Sequence, residues 1–179
     1  MKTTQILIAG FGGQGILFSG KFLAYKGLLE DIQVSWLPSY GPEMRGGTAN
    51  CNVILSDDPV GSPIITTPDV LIAMNLPSLQ KYVDSVVSGG QIYVDSSLID
   101  ARVERDDVEV FYIPSTQMAK DNGIGTLANM IIVGHFLQNN PNMSFDGVET
   151  VVEKLVPPTK AILKELNMKA LTLGKNYKE

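Results

Sequence analysis

Two stretches of this chain carry residues whose types and spacing suit chemistry. The first, GFGGQG at residues 10–15, sets Gly10, Gly12 and Gly15 in the pattern G-x-G-x-x-G, after an apolar run and ahead of a helical one. Glycines permit a tight turn, and bare N–H groups at a helix N-terminus attract an anion. Gly10, Gly12, Gly13, Gln14 and Gly15 are therefore candidates for holding a phosphate or a cofactor fragment. An alternative stays open, in which the glycines serve only close helix–strand packing. A dinucleotide site also asks for an acid at the end of the second strand, to hold a ribose hydroxyl. That strand ends in Trp36-Leu37-Pro38-Ser39, and Glu30 and Asp31 lie before it, at the wrong end. The nicotinamide reading fails there. No G-K-[ST] follows the loop, which excludes a P-loop.

The second stretch, LPSYGPEMRGGTAN (37–50), packs prolines and glycines between two strand-like runs. An ordinary turn needs about two to five residues there. Pro38 and Pro42 stiffen the backbone, while Gly41, Gly46 and Gly47 allow conformations that other residues resist. Such a segment can project and stay ordered, presenting Ser39, Tyr40, Glu43 and Arg45. Arg45 beside two glycines suits a clamp on a carboxylate or phosphate. A solvated crossover with an incidental ion pair remains the other reading. The segment follows the second strand, close to the loop after the first, on the edge where open α/β sheets bind ligands.

Other chemically capable residues point to structure. His135 is the one histidine, set in an apolar helix with no metal-spaced partner, and Cys51 lies in a strand pattern with apolar flanks. Asp57-Asp58 reads as turn chemistry. Asp95, after the QIYV strand, reads as a turn or helix cap, although it stands at the edge that faces a ligand. No Ser/His/Asp set can be assembled, so as a lone catalyst the chain is under-equipped.

The elements that must position these residues alternate. QILIA (5–9) is a buried strand by its continuous apolar run, followed by a helix over 14–29. IQVSWL (32–37), TANCNVIL (48–55), DVLIAM (69–74), QIYVDSS (91–97) and VEVFYIP (108–114) read as further strands. Ile64-Ile65, beyond the turn-rich SDDPVGSP (56–63), could pair back antiparallel and make the sheet mixed. Leu76 to Val87 has helical spacing, stopped by Gly89-Gly90. The last third is helical: Ile124 to Leu137 after the turn-prone Asn122-Gly123, a helix marked by Val148, Val151, Val152 and Leu155 and ended by Pro157-Pro158, and a final one from Ala161. This pattern predicts one α/β domain over 1–179, a three-layer α/β/α arrangement with a mostly parallel sheet and a Rossmann-like start.

Composition narrows the class. The chain has 179 residues, 44% apolar and 18% charged, with 14 basic against 19 acidic side chains for a net charge of −5. That balance argues against a nucleic-acid or anionic-membrane surface. MKTTQILIAG reads as a first strand and not a signal peptide, and no segment reaches the roughly 18 apolar residues of a membrane span. A single cysteine excludes an internal disulfide framework, a Cys-rich zinc site and a self-contained iron–sulfur cluster. The cytoplasm is the expected compartment.

Together, GFGGQGI (10–16), WLPSYGPEMRGGTANC (36–51), DDPVGSP (57–63) and ANMIIVG (128–134) resemble the gamma subunit of 2-oxoacid:ferredoxin oxidoreductases, in order and over nearly the whole chain. The resemblance implies a multi-subunit enzyme that decarboxylates a 2-oxoacid oxidatively, passes electrons through iron–sulfur clusters to ferredoxin and transfers the acyl group to coenzyme A. In such enzymes thiamine diphosphate belongs to alpha and beta subunits and the clusters to cysteine-rich partners, including a ferredoxin-like delta subunit. With one cysteine and no magnesium-binding GDG motif, this chain would firmly bind none of thiamine diphosphate, Mg or clusters. It would support assembly and the coenzyme A side of the site. Residues 38–47 would then reach toward the partners, with the glycine loop as the neighbouring anion-accepting edge and Asn129 a further candidate. The form SYGPEMRGGTANC favours 2-oxoglutarate over pyruvate, with branched-chain 2-oxoacid and indolepyruvate enzymes as alternatives. Rival readings are a free-standing nucleotide- or flavin-binding domain and a purely structural subunit; an isolated preparation would be free to form homo-oligomers.

Overall fold

The structure, a computed structural model, describes residues 3–40 and 48–179. Six strands form one sheet in the order β2-β3-β1-β4-β5-β6. They are β1 (Thr4–Phe11), β2 (Gln33–Tyr40), β3 (Thr48–Ser56), β4 (Val70–Ala73), β5 (Gln91–Asp95) and β6 (Glu109–Ile113). β1, β4, β5 and β6 pair in parallel, whereas β3 runs antiparallel to both β1 and β2. The sheet is thus mixed, as expected, but by a different strand. Ile64-Ile65 join no strand, and the reversed one is β3. The strands on either side of residues 41–47 are accordingly antiparallel neighbours, since Tyr40 pairs with Ala49.

Alternation along β1 separates two cores. Ile6 and Ile8 face α1 (Ile16–Leu29), α4 (Ala128–Asn139), α5 (Val148–Leu155) and α6 (Ala161–Asn176); Leu7 and Ala73 face α2 (Leu76–Tyr82). Three layers follow, helices on both faces of a sheet, because a β-α-β crossover buries the strand on each side. The central strands β4 and β5 are buried throughout and read as unbroken apolar runs for that reason. Phe22 and Leu23 of α1 are wholly buried, each contributing about 1.5–3 kcal/mol of transfer free energy.

Two local expectations need correction. Pro38 lies inside β2, opposite Cys51, and is tolerated because β2 is the sheet's edge and its outer side needs no ladder donor. The helix expected from Ile124 begins at Ala128, after a turn, and a short helix α3 (Ser115–Asp121) precedes it. Nothing in STQMAKD repeats apolar residues at helical spacing, so α3 left no periodic signal.

Candidate functional site

The carboxyl end of the sheet gathers the residues of interest. Phe11 closes β1 opposite Thr48, and Tyr40 closes β2 opposite Ala49. The glycine loop and both anchors of the 41–47 segment therefore sit side by side. Gly41, Pro42, Glu43, Arg45, Gly46 and Gly47 lie outside the described residues, as does the side chain of Tyr40. Ser39 is an exposed residue of β2 paired with Asn50.

Gly15 is the N-cap of α1, in the left-handed region at φ 75, and its carbonyl accepts Ser19 N–H at 3.0 Å. A cleft of about 280 Å³ opens here, its wall made by Phe11, Gly12, Gly13, Gly15, Leu17 and Ala49 among others. The free N–H groups of the first helical turn and the absence of side chains on three wall residues suit an anion. Asn129, at the start of α4, is 2% exposed and supports this turn from below. Its Nδ2 donates to Gly15 O at 3.1 Å and to Ser19 Oγ at 3.0 Å, while its buried Oδ1 has no partner among the described residues. A Cβ on Gly15 would come within 2.6 Å of that Nδ2. Gln14 turns inward: its Oε1 accepts Phe11 N–H at 2.6 Å and its Nε2 donates to Met74 O at 2.9 Å.

Three residues at this edge carry no motif and were not singled out by sequence. Asn75, after β4, caps α2 through Oδ1 and Ser78 N–H at 2.9 Å, yet its Nδ2, Ser78 Oγ and Ser115 Oγ are buried without partners among the described residues. The one available signal was Asn75 ahead of Pro77, a helix-start pattern. Asp95, wholly buried, accepts Ser97 N–H at 3.1 Å, Thr116 N–H at 3.3 Å and Thr116 Oγ1 at 2.5 Å. It caps α3, as a turn-or-cap residue should.

His135 and Cys51 stand away from this edge. His135 is buried between Tyr93, Phe111 and Tyr177, with Nδ1 3.2 Å from Gly174 O. Desolvation pulls its pKa below the usual value, against the smaller upward pull of that carbonyl. Cys51 is wholly buried, and desolvation pushes its thiol up to about 12. No group of His, Cys, Asp or Glu side chains able to hold a metal occurs among the described residues, and no described helix is long and apolar enough to cross a membrane. A larger cavity, of about 590 Å³, lies at the opposite end of the sheet between Asp69, Gln91, Glu109 and Asn140. Polar groups in its wall are already paired: Gln91 donates to the Glu109 carboxylate at 2.9 Å and accepts from Asn140 at 2.9 Å. Size alone does not make it the better site. The carboxyl edge combines free helix N–H groups with orphan polar atoms.

Residues 5–177 match the family described as pyruvate ferredoxin/flavodoxin oxidoreductase. The ketoisovalerate oxidoreductase subunit VorA of Methanothermobacter marburgensis is 41% identical over 133 residues, which take in 74% of this chain and only 28% of that relative. The 2-oxoglutarate synthase subunit KorC of the same organism is 33% identical over 178 residues, 96% of this chain and 94% of the relative. Among solved structures, the gamma subunit of a keto/oxoacid ferredoxin oxidoreductase from Geobacter sulfurreducens superposes with a TM-score of 0.81 at 29% identity, covering 96% of each chain. A 2-oxoglutarate:ferredoxin oxidoreductase from Magnetococcus marinus, solved with 2-oxoglutarate, coenzyme A and succinyl-CoA, gives a TM-score of 0.86 at 25% identity over 98% of this chain and 31% of that one.

Proposed function

This chain belongs to the pyruvate ferredoxin/flavodoxin oxidoreductase family, and from that premise we propose that it is the gamma-type subunit of a 2-oxoacid:ferredoxin oxidoreductase. The whole of 1–179 forms its one domain, in a cytoplasmic enzyme with alpha, beta and ferredoxin-like partners. The observation that carries the reading is the end-to-end match with a 2-oxoglutarate synthase subunit. The reaction converts a 2-oxoacid and coenzyme A to acyl-CoA and carbon dioxide, with two electrons passing to ferredoxin; 2-oxoglutarate is the favoured substrate. A branched-chain 2-oxoacid is the second reading, favoured by the higher identity to the ketoisovalerate relative over a shorter span.

Among the described residues no set of His, Cys, Asp or Glu side chains could hold the metal of thiamine diphosphate, and one buried cysteine cannot ligate a cluster alone, so these groups are assigned to the partner subunits. No step of the reaction is routed through this chain's own side chains. Its part is to hold partners together and to receive coenzyme A. The Tyr40–Ala49 pairing supports that part, since it anchors residues 38–47 beside the glycine loop. Tyr40, Glu43 and Arg45 meet the partner subunits or the pyrophosphate of coenzyme A, and the Gly12–Gly15 turn offers N–H groups to the same anion.

Anaerobic affinity purification of the chain from its own cells tests this. Thiamine-enzyme and ferredoxin-like subunits should co-elute, with coenzyme A-dependent viologen reduction strongest on 2-oxoglutarate across a panel of 2-oxoacids. Strongest activity on a branched-chain acid would move the substrate to the second reading. A chain eluting alone and inactive, holding a nucleotide, would sink both.

A further inference from the structure

β1 and β4 are parallel neighbours whose following helices pack on opposite faces, α1 against Ile6 and Ile8 and α2 against Leu7 and Ala73. Such a change of side opens a crevice between the carboxyl ends of the two strands, where open α/β sheets ordinarily take a ligand. Here the chain's own carboxamide stands in it. The ladder ends with Met74 N–H donating to Ala9 O at 2.9 Å. One more rung of a parallel ladder would join Phe11 N–H to Met74 C=O. Both groups are taken by Gln14 instead, Phe11 N–H by Oε1 at 2.6 Å and Met74 O by Nε2 at 2.9 Å. The side-chain amide replaces a peptide rung and fills the gap between the strands. Gly10 leaves the space: a Cβ there would meet Gln14 Oε1 at 2.6 Å and Met74 Cβ at 3.1 Å.

We propose that Gln14 is a positioning residue, filling the β1/β4 crevice so that the Gly12–Gly13 backbone is held toward the cleft on the β3 side and an anion is received there. The inference rests on the reading that this loop meets a phosphate of coenzyme A. A Gln is required because the rung needs an acceptor and a donor on one planar group. Glutamate keeps the acceptor for Phe11 but presents a carboxylate to the Met74 carbonyl, and methionine keeps the volume with neither function.

The test uses the co-purified assembly carrying Gln14→Met or Gln14→Glu, with coenzyme A varied at saturating 2-oxoacid and amide exchange followed at Phe11. Both variants should raise the coenzyme A KM about tenfold, the loss of roughly one net hydrogen bond, with kcat within twofold and faster Phe11 exchange. KM within twofold of wild type, whatever the exchange shows, would overturn the proposal. If the wild-type assembly itself lacks coenzyme A-dependent activity, the functional reading fails. Gln14 is then judged by pyrophosphate binding to the purified protein: weaker binding by both variants supports it, equal binding overturns it.

Discussion

Asn129 at the start of α4 donates from Nδ2 to the carbonyl of Gly15 at 3.1 Å, joining two helix N-termini that lie 114 residues apart in sequence. The same nitrogen reaches Ser19 Oγ at 3.0 Å, so one buried amide holds the first turn of α1. Replacing Asn129 with Ala should lower stability by about 1–3 kcal/mol, the cost of unpairing buried polar groups, read as a shift in denaturant midpoint at unchanged m-value. Asn129→Asp should do no better, because it removes the donor that both partners accept from.

Asp95 ties β5 to α3 through Thr116, whose N–H and hydroxyl it accepts at 3.3 and 2.5 Å. Asp95→Ala should cost about 2–3 kcal/mol, since the N–H and hydroxyl donors of Ser97 and Thr116 lose their buried acceptor; Asp95→Asn, which retains a carbonyl oxygen, should cost about 1 kcal/mol. Urea unfolding of the two variants reads the cap; a 2-oxoacid panel on the co-purified assembly should show unchanged substrate preference for both.

With its thiol pushed up to about 12 by burial, Cys51 should be unreactive toward a disulfide reagent at pH 8 in the folded chain. The same reagent should titrate it fully in denaturant. Rapid modification of the native protein would contradict the burial of this side chain between α1 and β3.

His135 predicts a pH slope whose sign follows from its burial. Its folded pKa lies below the usual 6.5, so the unfolded chain binds the proton more readily. Stability is then full above about pH 6.5 and falls as pH drops below that, until the folded ring also protonates. The Glu179 charge and the Gly174 carbonyl oppose this and keep the fall modest. His135→Gln should flatten that part of the stability profile between pH 7 and 5, measured by denaturant midpoints.

Arg45→Ala should raise the coenzyme A KM by about tenfold or more, or reduce co-elution of the partner subunits, as expected when a charge-assisted contact is removed. An Arg45→Ala assembly with unchanged composition and unchanged KM would remove Arg45 from the site.

Much of this architecture was legible because its signals are local. The apolar runs of β4 and β5, the glycine loop and the valine spacing of α5 each announce themselves within a few residues. What escaped depends on distant partners. The reversal of β3 needs the pairing of Tyr40 with Ala49, and a Pro/Gly-rich connection is compatible with either a turn-back or a crossover. α3 depends on a cap from Asp95, 21 residues away. The inward turn of Gln14 depends on Met74, 60 residues on, and in sequence that side chain looks as available to a ligand as its glycine neighbours.

The antiparallel clasp between Tyr40 and Ala49 separates two kinds of information in this chain. The β2–β3 ladder closes the intervening segment whatever its composition, and lengthening a flexible loop costs only about 0.6 kcal/mol per doubling. Residues 41–47 can therefore change in identity or number without disturbing the register beneath them. Substitutions in that short window would leave the capacity to fold intact, so whatever surface the segment meets answers to a constraint separate from the one that holds the sheet.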